Sequence, residues 1–424
     1  MDGRPAAERA LVPLRRNRDF VLLQIGQALS TVGSEASGIA YTLLVLALTG
    51  SPAKAGLAAF ARLVPYALFA LPAGVASDRF NRKWLMIGAD VVRVLALALL
   101  GVSIATGHVT FPQILIVAFI EGTMFVIFNI AEIGAVRSVV PALQLQRAFA
   151  TEQARMSSVY LAGPTLGGAL FGLARSLPFL VDAVSYAFST GTLLAMRTPF
   201  QEERERGPAS LRSRLVEGFR FLWNQPFLRT CALLFGLGNF IGPGVILALV
   251  VIGTREGLSG GEVGALVAAF GGFVLLGSFL SPIVRRLLPI RAILVLELWT
   301  WPGCAAFLLW PNVYVLTAGL LPSALVIPST DSVVHGYRIA MTPDQLLGRS
   351  ESAWSTISLL MAPFGPLAAG VLLGAVSARA TIGIFAAFAL ILALWGTLSP
   401  SIRAAPSLDQ LDTLPESGAR VARR

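Results

Sequence analysis

Two carboxylates stand in the middle of long apolar runs of this 424-residue sequence. Glu35 lies within the small-residue segment 33–38, and Glu121 lies near the centre of the run 111–137. A charge at the centre of a bilayer costs about 2.5–3.5 kcal/mol, so such acids are candidates for function. A carboxyl group shielded from water can exchange a proton near neutral pH. We therefore predict that Glu35 and Glu121 bind a proton or substrate; the alternative is that each is a hydrogen-bonded structural acid.

A second polar group is formed by Asp331 and His335, which are four residues apart and so share one helix face. Two ligands do not complete a metal site, so we expect a polar relay and no metal. Cys231 and Cys304 have neither metal nor disulfide spacing. The sequence contains no nucleophile–base motif and no phosphate-binding loop, so we expect neither an enzyme nor a bound cofactor.

The elements that carry these residues are predicted from composition. The chain is 55% hydrophobic and 13% charged, whereas soluble domains are about 25% charged. About 20 consecutive apolar residues suffice for a helix to cross a bilayer. The sequence therefore predicts an all-α membrane protein with 12 transmembrane helices. The predicted spans are 20–49, 55–76, 84–105, 111–137, 147–173, 176–197, 229–253, 261–283, 291–310, 312–337, 347–375 and 379–398.

Basic residues set the predicted orientation. With the N-terminus inside, 26 of the 33 Lys and Arg residues fall in cytoplasmic segments and only 4 in outer loops. Cytoplasmic loops carry the excess of Lys and Arg, so both termini are expected in the cytoplasm. The basic residues punctuate the apolar runs and do not collect on one face. The net charge of +10 is therefore assigned to topology, and nucleic acid is not an expected partner.

An internal repeat divides the chain into two halves. Five residues recur with a constant displacement of 202: Pro141, Arg147, Gly163, Pro164 and Gly168 as Pro343, Arg349, Gly365, Pro366 and Gly370. Two pseudo-symmetric six-helix bundles are a recurrent plan of transporters. The predicted organisation is an N-terminal tail (1–19), a first bundle (20–197), a central loop (198–228), a second bundle (229–398) and a disordered tail (399–424).

Within the central loop, apolar residues recur at helical spacing with arginines between them. This pattern predicts either an amphipathic helix on the inner leaflet or a plain connector. The apolar positions are Leu211, Leu215, Phe219 and Leu222.

A charged bridge separates the second and third spans, with the pattern Gly74-x-x-x-Asp78-Arg79-x-x-Arg82-Lys83. This pattern resembles the loop motif of the major facilitator superfamily. Span five contains Gly163-Pro164-Thr-Leu-Gly167-Gly168, which resembles the core of the antiporter motif of proton-coupled exporters. The segments 17–27 and 48–52 are similar to the branch of macrolide and siderophore (enterobactin-type) exporters.

The resemblance implies a gate at the charged bridge. Asp78 would meet the start of span eleven and a basic partner, Arg137, while Gly74 would allow close helix approach. Arg79, Arg82 and Lys83 complete the gating group. The alternative is a plain cytoplasmic turn.

The antiporter-like motif would make a bendable, closely packed helix, because proline removes a backbone hydrogen bond and glycine removes side chains. A tight helix contact without an antiport role is the alternative. Asp90 and Arg93, at i,i+3 in span three, are expected to pair.

The sequence departs from the family pattern in three places. Val159 replaces a small residue of the antiporter motif, and span four lacks the basic residue of many proton-coupled exporters. The second-half counterpart of the loop motif keeps Gly277, Arg285 and Arg286 but has no acid.

The resemblance implies a secondary active transporter of the cell (inner or plasma) membrane, working as a monomer by alternating access. It would export hydrophobic or amphipathic small molecules, such as drugs or siderophores, with the proton as coupling ion. Its partners would be the small-molecule substrate and the lipid bilayer. A lysophospholipid flippase, an uptake facilitator and a non-transporting receptor or scaffold remain alternatives.

Overall fold

Long helices make up the regular structure of the computed structural model, which describes residues 13–141, 144–198, 200, 211–343 and 346–404. These ranges contain no β-strand. Apolar segments in a bilayer must satisfy their backbone hydrogen bonds internally, and a helix does so within one segment. The prediction of an all-α protein is confirmed.

After a 3-10 turn (Leu14–Arg16), the described part of the chain up to residue 200 contains six α-helices: α1 (Arg18–Thr49), α2 (Pro52–Arg79), α3 (Arg82–Ala105), α4 (Phe111–Val139), α5 (Leu145–Leu173) and α6 (Leu177–Ala195). Gly50, at the end of α1, has φ +63°, a conformation that glycine adopts without a Cβ clash. The Asn81 side chain caps α3 by accepting a hydrogen bond from the backbone N–H of Lys83. This cap separates α2 from α3 within the charged bridge.

The described residues from 211 onward form α7 (Leu211–Asn224), α8 (Pro226–Arg255), α9 (Gly260–Leu287), α10 (Ile290–Thr300), α11 (Val313–Met341), α12 (Leu347–Leu360), α13 (Phe364–Ala375), α14 (Ala378–Leu398) and a short helix (Pro400–Arg403). The short helix lies at the start of the segment predicted to be a disordered tail, which is therefore ordered up to that point. A 3-10 segment (Trp301–Ala305) and a short helix (Ala306–Leu309) continue α10. A turn at residues 361–363 separates α12 from α13. Pro363 is the last residue of this turn and precedes the first residue of α13, a position where proline removes no helical hydrogen bond.

The central loop contains the helix that its apolar spacing predicts. Glu217 of α7 forms an ion pair with Arg349 in the first turns of α12. Gly218 lies against the backbone of Arg349 so closely that a Cβ there would overlap the carbonyl oxygen. The prediction of a helix is confirmed, and α7 is attached to the start of α12. Its position on the inner leaflet stays a prediction.

Eleven helical segments in the described residues are long and apolar enough to cross a membrane. In this count α12 and α13 act together as one segment, Arg349–Ala375. The twelfth predicted span corresponds to α5, which has 29 residues but is apolar only over Leu161–Leu173. Charged residues such as Arg147 and Arg155 occupy its first half. The helices therefore agree with the predicted twelve-span layout.

The chain divides into two compact units. One comprises the described residues of Met1–Tyr41 and Val64–Arg206, and the other those of Thr42–Leu63 and Gly207–Arg424. The boundary thus runs through α1 and α2, and Pro65 lies next to it in α2. The first turns of α2 pack on α13, where Gly56 and Gly370 meet backbone to backbone.

Candidate functional site

The first predicted site residue, Glu35, lies where α1 packs against α5. Gly163 faces the β-carbon of Glu35, and Gly167 faces the carbonyl oxygen of Ala36. A Cβ at either glycine would overlap these atoms, so their lack of a side chain permits the contact. Glu35 itself is partly exposed. The structure therefore brings together Glu35 and the antiporter-like motif, which the sequence places more than a hundred residues apart.

The other two members of that motif are buried inside α5. Pro164 and Gly168 both have little exposed surface, and α5 remains helical from Leu145 to Leu173 across Pro164. The motif thus makes a closely packed helix, as expected. The bending expected at Pro164 stays a prediction.

The second predicted site residue, Glu121 of α4, is only 2% exposed. Tyr186 of α6 is close enough to interact electrostatically with Glu121, with Asp182 and with Arg93 of α3. Four buried ionisable groups from three helices therefore lie in one region of the first unit. Buried charges are retained in membrane proteins where they pair with one another or serve a function.

Arg93 is the cation of this region, and three aromatic rings surround it. Its guanidinium carbon lies 4.6 Å from the ring centre of Tyr186, 5.4 Å from that of Phe128 and 5.8 Å from that of Phe125. Its Nη1 contacts the Asp90 carboxylate at 3.5 Å, which confirms the predicted pair. Within the described part of the chain, no hydrogen-bond partner reaches its Nε or Nη2. Ring faces partly compensate a buried cation, because they attract positive charge.

A buried hydrogen-bond network joins α1, α3 and α6 beside these charges. Ser189 donates to Asp90 at 2.7 Å, and Ser37 donates to Asp182 at 2.7 Å. The hydroxyls of Ser34 and Tyr186 are 2.6 Å apart. Such satisfied networks fix the position of the helices that carry them. The network therefore holds α1, and with it Glu35, against α6.

The charged bridge is anchored within the first unit. Arg82 Nη1 donates to the carbonyl oxygens of Gly134 and Phe200, each at 3.5 Å, and Lys83 Nζ donates to that of Met196 at 2.7 Å. These contacts join the start of α3 to α4 and to the segment after α6. Arg79 is exposed.

The remaining members of the predicted gate are Gly74, Asp78 and Arg137. No described atom lies within 4 Å of the Cβ position of Gly74, and the close helix contact expected there stays a prediction. The side chains of Asp78 and Arg137 lie outside the described residues. The gating role of the bridge stays a prediction.

In the second unit, Asp331 and His335 of α11 are both exposed. Asp331 interacts electrostatically with Glu297 of α10 and with Arg338. Arg338 forms an ion pair with Glu351 and lies 4.7 Å above the ring of Trp354. No group of three or more metal ligands occurs among the described residues. The geometry fits a polar cluster around Arg338.

Sequence reasoning missed Glu297. It lies within a predicted span, as Glu35 and Glu121 do, so the same rule for acids in membrane segments identifies it. The sequence also gives no indication of an ion pair between Glu132 of α4 and Arg155 of α5. The structure places Arg155 Nη2 3.4 Å from Glu132 and 3.8 Å from Glu152. The Glu132 contact joins α4 to α5, and sequence separation gives no sign of it.

Comparison with known families identifies the fold. The family model described as Major Facilitator Superfamily matches residues 23–328, most of the chain. The chain belongs to the Major Facilitator Superfamily. Members of this family are transporters, not enzymes, so the protein is a multi-pass membrane transporter. The resemblance carried by the loop motif is confirmed.

Two characterised relatives are exporters by name. The multidrug efflux pump Tap of Mycobacterium tuberculosis is 25% identical, and the match covers 93% of this chain and 95% of the relative. Macrolide efflux protein A of Streptococcus pyogenes is also 25% identical, over 60% of this chain and 67% of its own length.

One of the solved structures that resemble this chain superposes with a TM-score of 0.72. It is a bacterial homologue of the human lysosomal transporter Spinster in an inward-facing and unoccupied conformation. The match covers 92% of this chain and 98% of that one at 17% identity. At this identity the likeness shows the fold alone. It confirms the predicted superfamily fold.

Proposed function

We propose that this transporter exports hydrophobic or amphipathic small molecules by alternating access, in exchange for protons that move inward. The multidrug efflux pump that aligns with nearly the whole chain supports the direction and the substrate class. The burial of Glu121 among Arg93, Tyr186 and Asp182 supports the coupling ion. The last observation carries the proposal, because it supplies the group that takes the proton.

Glu121 exchanges the proton in this proposal. When its carboxylate accepts a proton, an O–H bond forms and the negative charge disappears. The attraction on Arg93 then comes from Asp90, 3.5 Å away, and from the aromatic rings. When the proton leaves, the charge on Glu121 returns and competes with Asp90 for Arg93. Arg93 is thus a positioning residue that changes its electrostatic partner with the protonation of Glu121.

Glu35 is the second acid of the proposed site. It lies at the contact between α1 and α5, where Gly163 abuts its β-carbon. A change in its charge acts at this helix contact, because Gly163 brings α5 directly against it. Glu35 therefore binds either the proton or a polar group of the substrate in this proposal. A polar relay at Asp331 and His335 stays part of the proposal for the second half.

Flux in inverted membrane vesicles tests the coupling. We expect that dissipating the pH gradient abolishes uptake of an exported drug such as a macrolide. Glu121→Gln should abolish pH-driven uptake but leave drug exchange across the membrane without a gradient, because alternating access does not need the carboxylate. The control variant is Glu262→Gln. Glu262 lies at the start of α9, in the other unit and far from the proposed site in sequence. Uptake that persists without a pH gradient would contradict proton coupling.

The gate remains a proposal of its own. Asp78, Arg79, Arg82, Lys83 and Arg137 would close the cytoplasmic side, with both termini in the cytoplasm and the monomer as the working unit. Asp78→Asn should weaken the outward-facing state. Accessibility of single cysteines at cytoplasmic positions to a thiol reagent measures this balance, and unchanged labelling would remove Asp78 from the gate.

A further inference from the structure

An apolar pocket of about 320 Å³ lies in the second unit, between α8, α13 and α14. Its lining residues are Leu237, Phe240, Met361, Leu372, Ile384, Phe385 and Phe388. Ligand pockets in proteins have volumes of about 300–1,000 Å³, so it is large enough to hold part of a ligand. None of the roles discussed above for Glu35, Glu121 or the charged bridge uses it.

The pocket exists because span eleven is interrupted. Met361 lies in the turn between α12 and α13, and the interruption leaves space beside α8. Phe240 of α8 forms one wall: its ring stacks on Phe385 at 5.4 Å and meets Phe388 edge-on at 5.5 Å. Gly365 of α13 packs against the Phe240 backbone, so a Cβ there would overlap the carbonyl oxygen. The walls are therefore fixed by backbone and ring contacts.

The chemistry of the walls selects the occupant. The lining surface is entirely apolar, without a polar atom. Sites for drugs and cofactors contain a few polar groups that orient the ligand. This pocket has none, so it cannot orient a heteroatom. A hydrocarbon chain needs no such group and gains dispersion contacts by filling a void.

The rim of the pocket is part of an exposed apolar surface. Ile384 at its rim is 49% exposed, and Ile391, two helical turns further along α14, is 60% exposed. On α13, Leu372 points about 200° away from Gly370, the residue that meets Gly56 of α2. The pocket thus lies on the side of α13 opposite to its contact with α2. An exposed apolar surface away from a helix–helix contact is suited to the hydrocarbon of a bilayer.

We propose that this pocket binds the acyl chain of a bilayer lipid. The chain enters past Ile384 and lies against Phe240 and Met361, beside the interruption of span eleven. Bound there, it replaces the missing helix turn as a packing partner of α8 and α14. A protein interior tolerates few voids, so an occupied pocket is the better packed state.

Photolabelling tests this proposal. The full chain is reconstituted in phosphatidylglycerol vesicles in which a fraction of the lipid carries a diazirine near the end of its acyl chain. After irradiation, the labelled residues are mapped by mass spectrometry. We expect labelling to concentrate at Met361 and Leu237, well above the labelling at Ile391. Equal labelling at Ile391 and at the pocket residues would overturn the proposal.

Two tryptophan variants form a matched pair. Ile384→Trp fills the rim of the pocket and should reduce the labelling of Met361 several-fold, whereas Ile391→Trp on the same helix should not. Phe388→Ala enlarges the pocket and should preserve the labelling of Met361. It therefore shows that altered packing alone does not lower the labelling in the tryptophan variant. Undiminished labelling of Met361 in Ile384→Trp would contradict the proposal. So would loss of labelling when a macrolide is added, because the occupant would then be a drug and not a lipid.

Discussion

Gly163 in the first half and Gly365 in the second are related by the 202-residue repeat, and each packs against the first helix of its own half. Gly163 lies against the side chain of Glu35 in α1, and Gly365 lies against the backbone of Phe240 in α8. The same displacement of 202 takes Glu35 to Leu237, a residue of the apolar pocket. The two halves therefore share a packing device and differ in what surrounds it.

The difference extends to the neighbouring helices. In the first half, α1 presents serines to Asp182 and Tyr186 of α6. In the second half, α8 presents Phe240 to Phe385 and Phe388 of α14. Glycine contacts preserve the backbone geometry, so the side chains around them are free to diverge. Around these glycine contacts, the first half carries hydroxyl and charged side chains, and the second half carries apolar rings.

The largest loss of unfolding free energy is expected in the first half, at the Asp90–Arg93 ion pair. Arg93→Met leaves the Asp90 carboxylate buried without its cation, because Asp90 is 1% exposed. Removing one partner of a buried ion pair costs about 3–5 kcal/mol of unfolding free energy. Thermal unfolding in detergent micelles measures the loss. The double variant Asp90→Asn/Arg93→Met should recover much of it, and a stable single variant would show that the pair does not stabilise this half.

A second experiment tests the contrast between the two halves by placing a charge in the apolar pocket. Leu237→Glu places a carboxylate in a pocket without a polar atom. We expect a cost of about 2.5–3.5 kcal/mol, the range for a charged residue at the centre of a membrane helix. Leu237→Met is the control, because it keeps the apolar character at similar volume. If the two variants unfold at the same temperature, the pocket tolerates charge and the proposed contrast between the two glycine contacts is wrong.

A smaller loss of unfolding free energy is expected when one of the repeat glycines is replaced. Gly365→Ala adds a Cβ that overlaps the carbonyl oxygen of Phe240, so α8 and α13 must separate. Overpacking of this kind costs about 1–3 kcal/mol. Gly374→Ala, in the same helix, is the matched control because its Cβ would lie 3.8 Å from Ala53, an ordinary contact. Equal unfolding temperatures for the two variants would show that the close contact at Gly365 is dispensable.

Much of the fold could be predicted from apolar length alone. The first predicted span, 20–49, corresponds to α1 at Arg18–Thr49, and the Asp90–Arg93 pair follows from helical spacing. The turn at 361–363 was not predicted, although Pro363 marks it, because apolar length does not register a local break. Length and composition likewise combine α12 and α13 into one apolar segment, Arg349–Ala375.

Less of the candidate site could be predicted. Helical periodicity shows which residues share a face but does not tell which helix packs against it. The contact of Glu35 with Gly163, the aromatic rings around Arg93 and the serines bonded to Asp182 all depend on that choice of partner. Glu297 is different, because its position inside an apolar run is sufficient to identify it, although it was not predicted.

The boundary that crosses α1 and α2 has a practical consequence for producing the protein as two separate polypeptides. A cut between α6 and α7 follows the sequence repeat but leaves residues 42–63 on the first polypeptide, although they pack with the second unit. The second polypeptide made alone would then display the bare backbone at Gly370 of α13. When the two polypeptides are co-expressed, the contact of Gly56 with Gly370 gives them a place to reassemble. A peptide containing Gly56 should compete for this contact.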